Sequence, residues 1–118
     1  MVMSKKVAIF AFNGEIMCFA HAMINALEMR HKGYDVKLII EGMATGAIAQ
    51  LSDNSKPFSE LYQKVRDEGL IDCVCLACST KTGTAKQAEE QGLRLCGEMS
   101  GHPSMSRYID AGYDLIVM

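Results

Sequence analysis

Five apolar runs alternate along the chain with segments in which apolar residues recur at helical spacing. The runs lie at residues 5–12, 34–41, 71–77, 93–98 and 113–118. Strands that are covered on both faces give such near-continuous apolar runs, which are typical of parallel sheets. The pattern therefore predicts five strands, and residues 71–77 are expected to form the central one.

The intervening segments predict helices. In residues 15–32 an apolar stripe is formed by Ile16, Phe19, Ala20, Met23, Ile24 and Leu27. Residues 55–69 predict a second helix, with Pro57 in its first turn and Phe58 in its apolar stripe. Residues 42–54 are too apolar for a solvated loop, which favours a short packed helix or a subunit contact.

Two more helices are expected in the second half of the chain. One begins at a cap formed by Ser79 or Thr80 and continues to about residue 91, and a short one begins at Pro103 with Ile109 facing inward. The alternation of strands and helices predicts an α/β fold. We expect a three-layer α/β/α sandwich of flavodoxin-like general architecture with a mostly parallel five-stranded sheet. Residues 1–118 are expected to form a single domain.

The composition of the chain excludes some classes of function. The chain has 118 residues, 49% of them hydrophobic, and a net charge of −2, so it offers no basic surface for nucleic acid or an anionic membrane. No apolar run approaches the roughly 20 residues that a membrane span requires. Residues 1–6 are basic and precede an apolar run, but no cleavage site of small residues follows. We therefore expect no signal peptide and a cytoplasmic location.

Loops after parallel strands gather at the carboxyl edge of the sheet, where ligands bind in open α/β folds. The loops expected there are residues 13–14, 42–46, 78–83 and 97–102. The residues expected to line or support a pocket at this edge are Asn13, Gly14, Gly42, Ser79, Thr80, Lys81, Gly83 and His102. The acidic residues Glu41 and Glu98 also end predicted strands at this edge.

Three of the five cysteines fall within residues 72–83. Cys78 is expected at the junction of strand and helix, where the helix N-terminus and Lys81 favour a reactive thiolate. Such a thiolate can attack a sulfur donor and carry the transferred sulfur as a persulfide without a metal or cofactor. Cys78 is thus the leading candidate for a sulfurtransferase site and Cys75 the next. Cys18, Cys73 and Cys96 are expected to pack as small apolar residues.

Other functions remain open at the same residues. Cys75 and Cys78 form a Cys-x-x-Cys motif that could cycle between dithiol and disulfide. Three thiolates from Cys73, Cys75 and Cys78 could bind a metal, with Cys96, His102 or His21 as a fourth ligand. Strand residues two apart rarely converge on one ion, which disfavours this alternative. The pocket could also bind a small anion, a nucleotide or a flavin without catalysis.

Several segments resemble the DsrE/DsrF-like family of small α/β sulfur-relay proteins over nearly the whole chain. They are KVAIF at 6–10, AL at 26–27 before GYDV at 33–36, CLAC at 75–78 followed by Gly83, and AGYDLI at 111–116. The resemblance implies a homo-oligomer, often a trimer or hexamer, with sulfur donor and acceptor proteins as partners. It also implies that a cysteine at the end of the central strand carries the sulfur, in the position of Cys75 or Cys78. Thr82 stands where the family usually has an arginine.

Overall fold

The sheet has five strands, all parallel, in the order β4-β3-β2-β1-β5. A computed structural model describes residues 5–118, so the first four residues of the basic N-terminal segment lie outside the described residues. The strands are β1 (Lys6–Ala11), β2 (Asp35–Ile40), β3 (Ile71–Cys75), β4 (Leu95–Cys96) and β5 (Asp114–Val117). The predicted α/β class and five strands are confirmed, and the parallel arrangement extends to every pair.

Helices connect successive strands. They are α1 (Ile16–His31), a 3-10 helix (Gly42–Gly46), α2 (Ala47–Leu51), α3 (Ser59–Asp67), α4 (Leu76–Thr82), α5 (Ala85–Glu90) and α6 (Met105–Asp110). Within residues 5–118, none of them is long and apolar enough to span a bilayer.

Both faces of the sheet are covered, which explains the continuous apolar runs. Along β1, Val7 and Ile9 contribute to a large core cluster that also contains residues of α1, α2 and α3. The alternate residues Ala8 and Phe10 enter a smaller cluster that includes Tyr108 of α6. Burial of successive residues on opposite faces is the expected result for an inner strand of a three-layer sandwich.

The strand containing the cysteines is not the central one. β2 occupies the middle of the sheet, and β3 lies between β2 and the edge strand β4. The reason is that β5 pairs with the free side of β1 and so adds a strand at the far edge. Strand β3 is also shorter than predicted: it ends at Cys75, because Leu76 already begins α4.

The segment after β3 differs from the prediction in its caps. Cys75, rather than Ser79 or Thr80, is the N-cap of α4, since its Sγ accepts a hydrogen bond from the backbone N–H of Cys78. Ser79 and Thr80 lie inside α4, and both hydroxyls donate to the carbonyl of Leu76. The predicted single helix is interrupted at Gly83, which adopts a left-handed conformation and separates α4 from α5.

Several side chains expected to be buried are exposed. Ile24 and Cys18 of α1 and Ile109 of α6 face solvent, so the buried stripes of these helices are narrower than predicted. Helix α3 begins at Ser59, two residues after Pro57, and Phe58 is exposed with a positive φ of 69°. The apolar residues 42–54 form the short packed helices that the sequence offered as one alternative.

Candidate functional site

The junction of β3 and α4 places two thiols side by side. Cys75 closes the strand and caps the helix, and the N–H of Cys78 donates to Cys75 Sγ at 3.4 Å. The side chain of Cys75 is buried, whereas Cys78 is only partly buried. The strand end therefore fixes one thiol inside the protein and presents the next one, three residues later, toward the surface.

The loop after β4 brings His102 to the same point. Its Nδ1 lies 3.1 Å from Cys75 Sγ and 3.7 Å from Cys78 Sγ. The loop is held by a hydrogen bond from the N–H of Ala77 to the carbonyl of Gly101 at 2.8 Å. Gly101 has a φ of +94°, and a Cβ there would lie 3.1 Å from the Cβ of Ala77, so this approach requires glycine.

A buried carboxyl group borders the cluster. Glu41 follows β2, and its Oε1 lies 3.8 Å from Nδ1 of His102. Burial raises the pKa of Glu41, although the nearby imidazole and a hydrogen bond with Cys75 oppose the shift. Burial likewise raises the pKa of Cys75 to about 12, with a smaller contribution from the negative charge of Glu41. Cys75 is therefore a neutral thiol at physiological pH.

Thr45 links the loop after β2 to helix α4. Its buried hydroxyl is 2.8 Å from the hydroxyl of Thr82, and it also contacts the carbonyls of Gly42 at 2.8 Å and Cys78 at 3.3 Å. Thr45 is not among the residues that the sequence predicts for the site. The available signal was a lone hydroxyl residue in an apolar segment, because a buried hydroxyl needs a polar partner.

Two cavities open on either side of the cluster. One of about 170 Å³ is lined by Gly42, Met43, Cys78, Lys81 and Thr82. The other, of about 380 Å³, is mostly apolar and is lined by Phe12, Glu41, Met99, His102, Pro103, Ser104, Met105 and Ser106. The partly buried thiol of Cys78 therefore borders the smaller cavity, and the imidazole borders the larger one.

The structure brings together half of the residues expected at this edge. Cys75, Cys78 and His102 are in contact, and Gly42 and Lys81 line the smaller cavity. The loop conformation at Gly42, with a φ of +55°, lets its backbone pass close to the carbonyl of Phe12.

The remaining expected residues support the backbone. Asn13 Oδ1 accepts a hydrogen bond from the N–H of Glu15 at the start of α1, and Gly14 lies beside Met43. Gly83 ends α4, while Ser79 and Thr80 bond within that helix as described above. These contacts shape the loops around the cluster, and none of them involves its sulfur or imidazole atoms.

The fold changes which side chains could bind a metal ion together. Among the described residues, Cys75, Cys78 and His102 place one ligand atom each within 4.8 Å of one another. Cys73 and Cys96 instead contact Arg107 of α6, and His21 lies exposed on α1. The interpretation that included Cys73 is wrong, because Cys73 lies deeper in the strand and packs against Tyr108, 3.5 Å away.

Comparisons with known proteins identify uncharacterised relatives. No model of a known protein family matches the chain. A solved structure of a conserved protein of unknown function, BT1422 from Bacteroides thetaiotaomicron, superimposes with a TM-score of 0.72 at 16% identity and covers 100% of both chains. This similarity supports the fold.

Sequence relatives come from archaea. An uncharacterised protein of Archaeoglobus fulgidus is 52% identical over 44 residues, which are 37% of this chain and 72% of that protein. The uncharacterised protein MJ0733 of Methanocaldococcus jannaschii is 31% identical over 96 residues, which are 81% of this chain and 76% of that protein. Identity of this extent establishes homology, and the chain therefore belongs to the same protein family as MJ0733.

Proposed function

We propose that the protein is a cytoplasmic sulfur carrier of the DsrE/DsrF-like kind, which holds transferred sulfur as a persulfide on Cys78. The observation that carries the proposal is the position of the Cys78 thiol. It is partly exposed, borders a cavity of about 170 Å³ and lies 3.7 Å from His102 Nδ1. That volume is several times the ~30 Å³ that one water molecule occupies in the liquid, so an added sulfur atom fits.

The proposed transfer exchanges one sulfur–sulfur bond for another. The Cys78 thiolate attacks the outer sulfur of a donor persulfide, R–S–SH. A bond forms between Cys78 Sγ and that sulfur while the donor's own S–S bond breaks, and the donor leaves as a thiolate. An acceptor thiolate then attacks the outer sulfur of the Cys78 persulfide in the same way. No external oxidant or reductant is consumed in either step.

The neighbours of Cys78 have distinct roles in this proposal. His102 Nδ1 is placed to take the thiol proton before attack. Lys81 borders the cavity, and its positive charge favours a persulfide anion there. Cys75 is the poorer nucleophile, because it is buried and its raised pKa of about 12 keeps it protonated.

Sulfur loading tests the proposal directly. The reduced protein is incubated with a cysteine desulfurase that carries a persulfide, and the products are separated from the donor. Intact-mass and peptide mass spectrometry are expected to find one added sulfur per chain, on the peptide that contains Cys78. Cys78→Ser should gain none, and alkylation of the loaded protein should trap the persulfide.

Cys18→Ser is the matched control, because Cys18 is an exposed thiol on α1 that does not belong to the group of Cys75, Cys78 and His102. It should load as the unmodified protein does. Sulfur found on Cys18 alone, or equal loading of the Cys78→Ser variant, would contradict the proposal. Circular dichroism of each variant establishes that a loss of loading is not a loss of folding.

We further propose that the protein forms a homo-oligomer, a trimer or hexamer, as the family resemblance implies. Exposed apolar side chains support self-association: Met17 and Ile24 are seven residues apart on one face of α1, and both face solvent. Sedimentation velocity is expected to give a trimer or hexamer. A monomer at micromolar concentration would refute this part of the proposal and leave sulfur loading unaffected.

A further inference from the structure

His102 lies close to both thiols of the cluster, so its position also suits a ligand shared with two sulfur atoms. Its Nδ1 is nearer to the buried Cys75 Sγ, at 3.1 Å, than to the partly exposed Cys78 Sγ, at 3.7 Å. A histidine that served Cys78 alone would need only the second contact. Here one ring nitrogen faces two sulfur atoms, which is the arrangement that a metal ion between them requires.

The distances fit tetrahedral zinc. With Zn–S bonds of about 2.3 Å and Zn–N bonds of about 2.0–2.1 Å, ligand sulfur and nitrogen atoms in a tetrahedron lie about 3.6 Å apart. The two observed separations lie on either side of this value, and all three ligand atoms are within 4.8 Å of one another. Small side-chain adjustments therefore bring the three atoms to bonding distance of one ion.

The backbone holds the ligands before any ion arrives. Cys75 is fixed by the end of β3, and the N–H of Cys78 donates to its sulfur at 3.4 Å. The loop that carries His102 is tied to α4 through the hydrogen bond between Ala77 and Gly101. Ligands from a strand end, a helix turn and a separate loop thus converge without a rearrangement of the fold.

We propose that Cys75, Cys78 and His102 bind one Zn²⁺ ion and leave a fourth coordination position open. Two thiolates and an imidazole favour a thiophilic ion such as Zn²⁺ over Mg²⁺ or Ca²⁺, which require oxygen ligands. The carboxyl group of Glu41 lies outside the group of mutually close ligand atoms, so the set has three protein ligands. Three ligands and an open position are the arrangement of reactive rather than purely structural zinc sites.

This inference does not rest on sulfur carriage, but it has a consequence for it. Zn²⁺ and a persulfide both require the sulfur of Cys78, so each excludes the other. Bound Zn²⁺ would therefore block sulfur loading until a chelator or a partner protein removes the ion.

The test uses the reduced, metal-free chain of 118 residues and titrates it anaerobically with Co²⁺. One equivalent is expected to produce thiolate-to-cobalt charge-transfer bands and the ligand-field bands of a tetrahedral site, and Zn²⁺ should bleach both. Cys75→Ser, Cys78→Ser and His102→Asn should each weaken binding at least about tenfold. Cys18→Ser should bind as the unmodified protein does. Unchanged affinity in His102→Asn would overturn the three-ligand site.

A measurement on the unmodified protein decides the question if a cysteine variant fails to fold. Zn²⁺ should slow alkylation of Cys78 at least about tenfold, since a metal-bound thiolate is shielded from the reagent, while Cys18 in the same chain reacts at an unchanged rate. Equal rates for Cys78 with and without Zn²⁺ would refute the proposal. If the protein bound Zn²⁺ but gained no sulfur in its metal-free form, sulfur carriage alone would be refuted.

Discussion

Two cysteine clusters lie along strand β3, two residues apart, and they differ in their access to solvent and in their neighbours. Cys75 belongs to the edge cluster with Cys78 and His102, which borders two cavities. Cys73 belongs to an inner cluster with Cys96 and Tyr108, beneath α6. Each cluster combines a sulfur atom of β3 with a ring side chain from the chain after β4. The edge cluster is open to the two cavities, whereas the inner cluster is closed.

In the closed cluster, a network of charged side chains surrounds the hydroxyl of Tyr108. The Tyr108 hydroxyl donates to the carboxylate of Asp72 and accepts a hydrogen bond from Arg107 at 3.0 Å. Asp72 also pairs with Arg94 at 3.2 Å and Lys37 at 3.7 Å. Burial raises the pKa of Cys73 to about 12, so its thiol stays neutral and unreactive. Burial raises the pKa of Cys75 to about 12 as well, so the thiol that distinguishes the edge cluster is that of Cys78, which is only partly buried and lies in α4 beyond the strand end.

The register of β3 helps to create this difference. Leu38 pairs with Ile71, whereas the next residue, Ile39, pairs with Cys73, so Asp72 is the extra residue of a β-bulge. The bulge places Asp72 and Cys73 together beside Tyr108. Asp72 thereby connects Tyr108 of α6 with Lys37 of β2 and with Arg94, which precedes β4.

Loss of the Tyr108 hydroxyl from the inner cluster is expected to have the largest effect on stability. Tyr108→Phe removes a buried hydroxyl from a charged partner, and we expect the free energy of unfolding to fall by about 2 kcal/mol. Urea denaturation measures the change. Loading of sulfur on Cys78 should be unaffected, because Tyr108 contacts no atom of the edge cluster in the described structure.

Tyr113→Phe is the matched control for Tyr108→Phe. Its hydroxyl also donates to a carboxylate, that of Asp35 at 2.7 Å, but the pair is exposed to solvent. We expect a loss of under about 1 kcal/mol there, since water replaces the missing bond. Equal losses for the two variants would show that the inner cluster is no more closed than the surface pair.

The fold could be predicted from the sequence more completely than the site. The apolar runs identified all five strands, because burial on both faces leaves a local pattern. The apolar run predicts that β3 ends two residues later than it does in the structure, because Leu76 and Ala77 continue the run although they already belong to α4. A cysteine is not a usual N-cap residue, so Ser79 and Thr80 were the more plausible caps.

Within the site, the sequence identified the separate parts and could not show how they meet. The sequence predicts Cys75 and Cys78 at the end of a strand and His102 in a loop at the same edge of the sheet. Their contact depends on the loop from Gly97 to His102 folding back onto α4, which is a tertiary event with no local pattern. The pairing of Thr45 with Thr82 was missed for the same reason: the two residues are 37 positions apart.

A smaller effect distinguishes two carboxyl groups that follow strands at this edge of the sheet, Glu41 after β2 and Glu98 after β4. The pKa of Glu41 is raised, chiefly by burial, so folding favours its neutral form. The neutral carboxyl group therefore contributes to the free energy of unfolding below the unfolded pKa of about 4.5. This contribution is lost as the pH rises through the pKa of the folded state. We therefore expect Glu41→Gln to be more stable than the unmodified protein at pH 7, with the difference closing near pH 4.

Glu98→Gln is the opposite case and serves as the control. A hydrogen bond from the N–H of Ser104 at 3.0 Å is the main reason that the pKa of Glu98 is lowered. The ionised carboxylate of Glu98 contributes to the free energy of unfolding above the unfolded pKa, and this contribution is lost as the pH falls through the pKa of the folded state. Glu98→Gln should therefore be less stable than the unmodified protein at pH 7. Urea denaturation at pH 4 and pH 7 measures both differences. If both variants changed stability in the same direction at pH 7, the opposite pKa shifts of Glu41 and Glu98 would not explain the result. Burial of Glu41 would then not be the cause of its effect on stability.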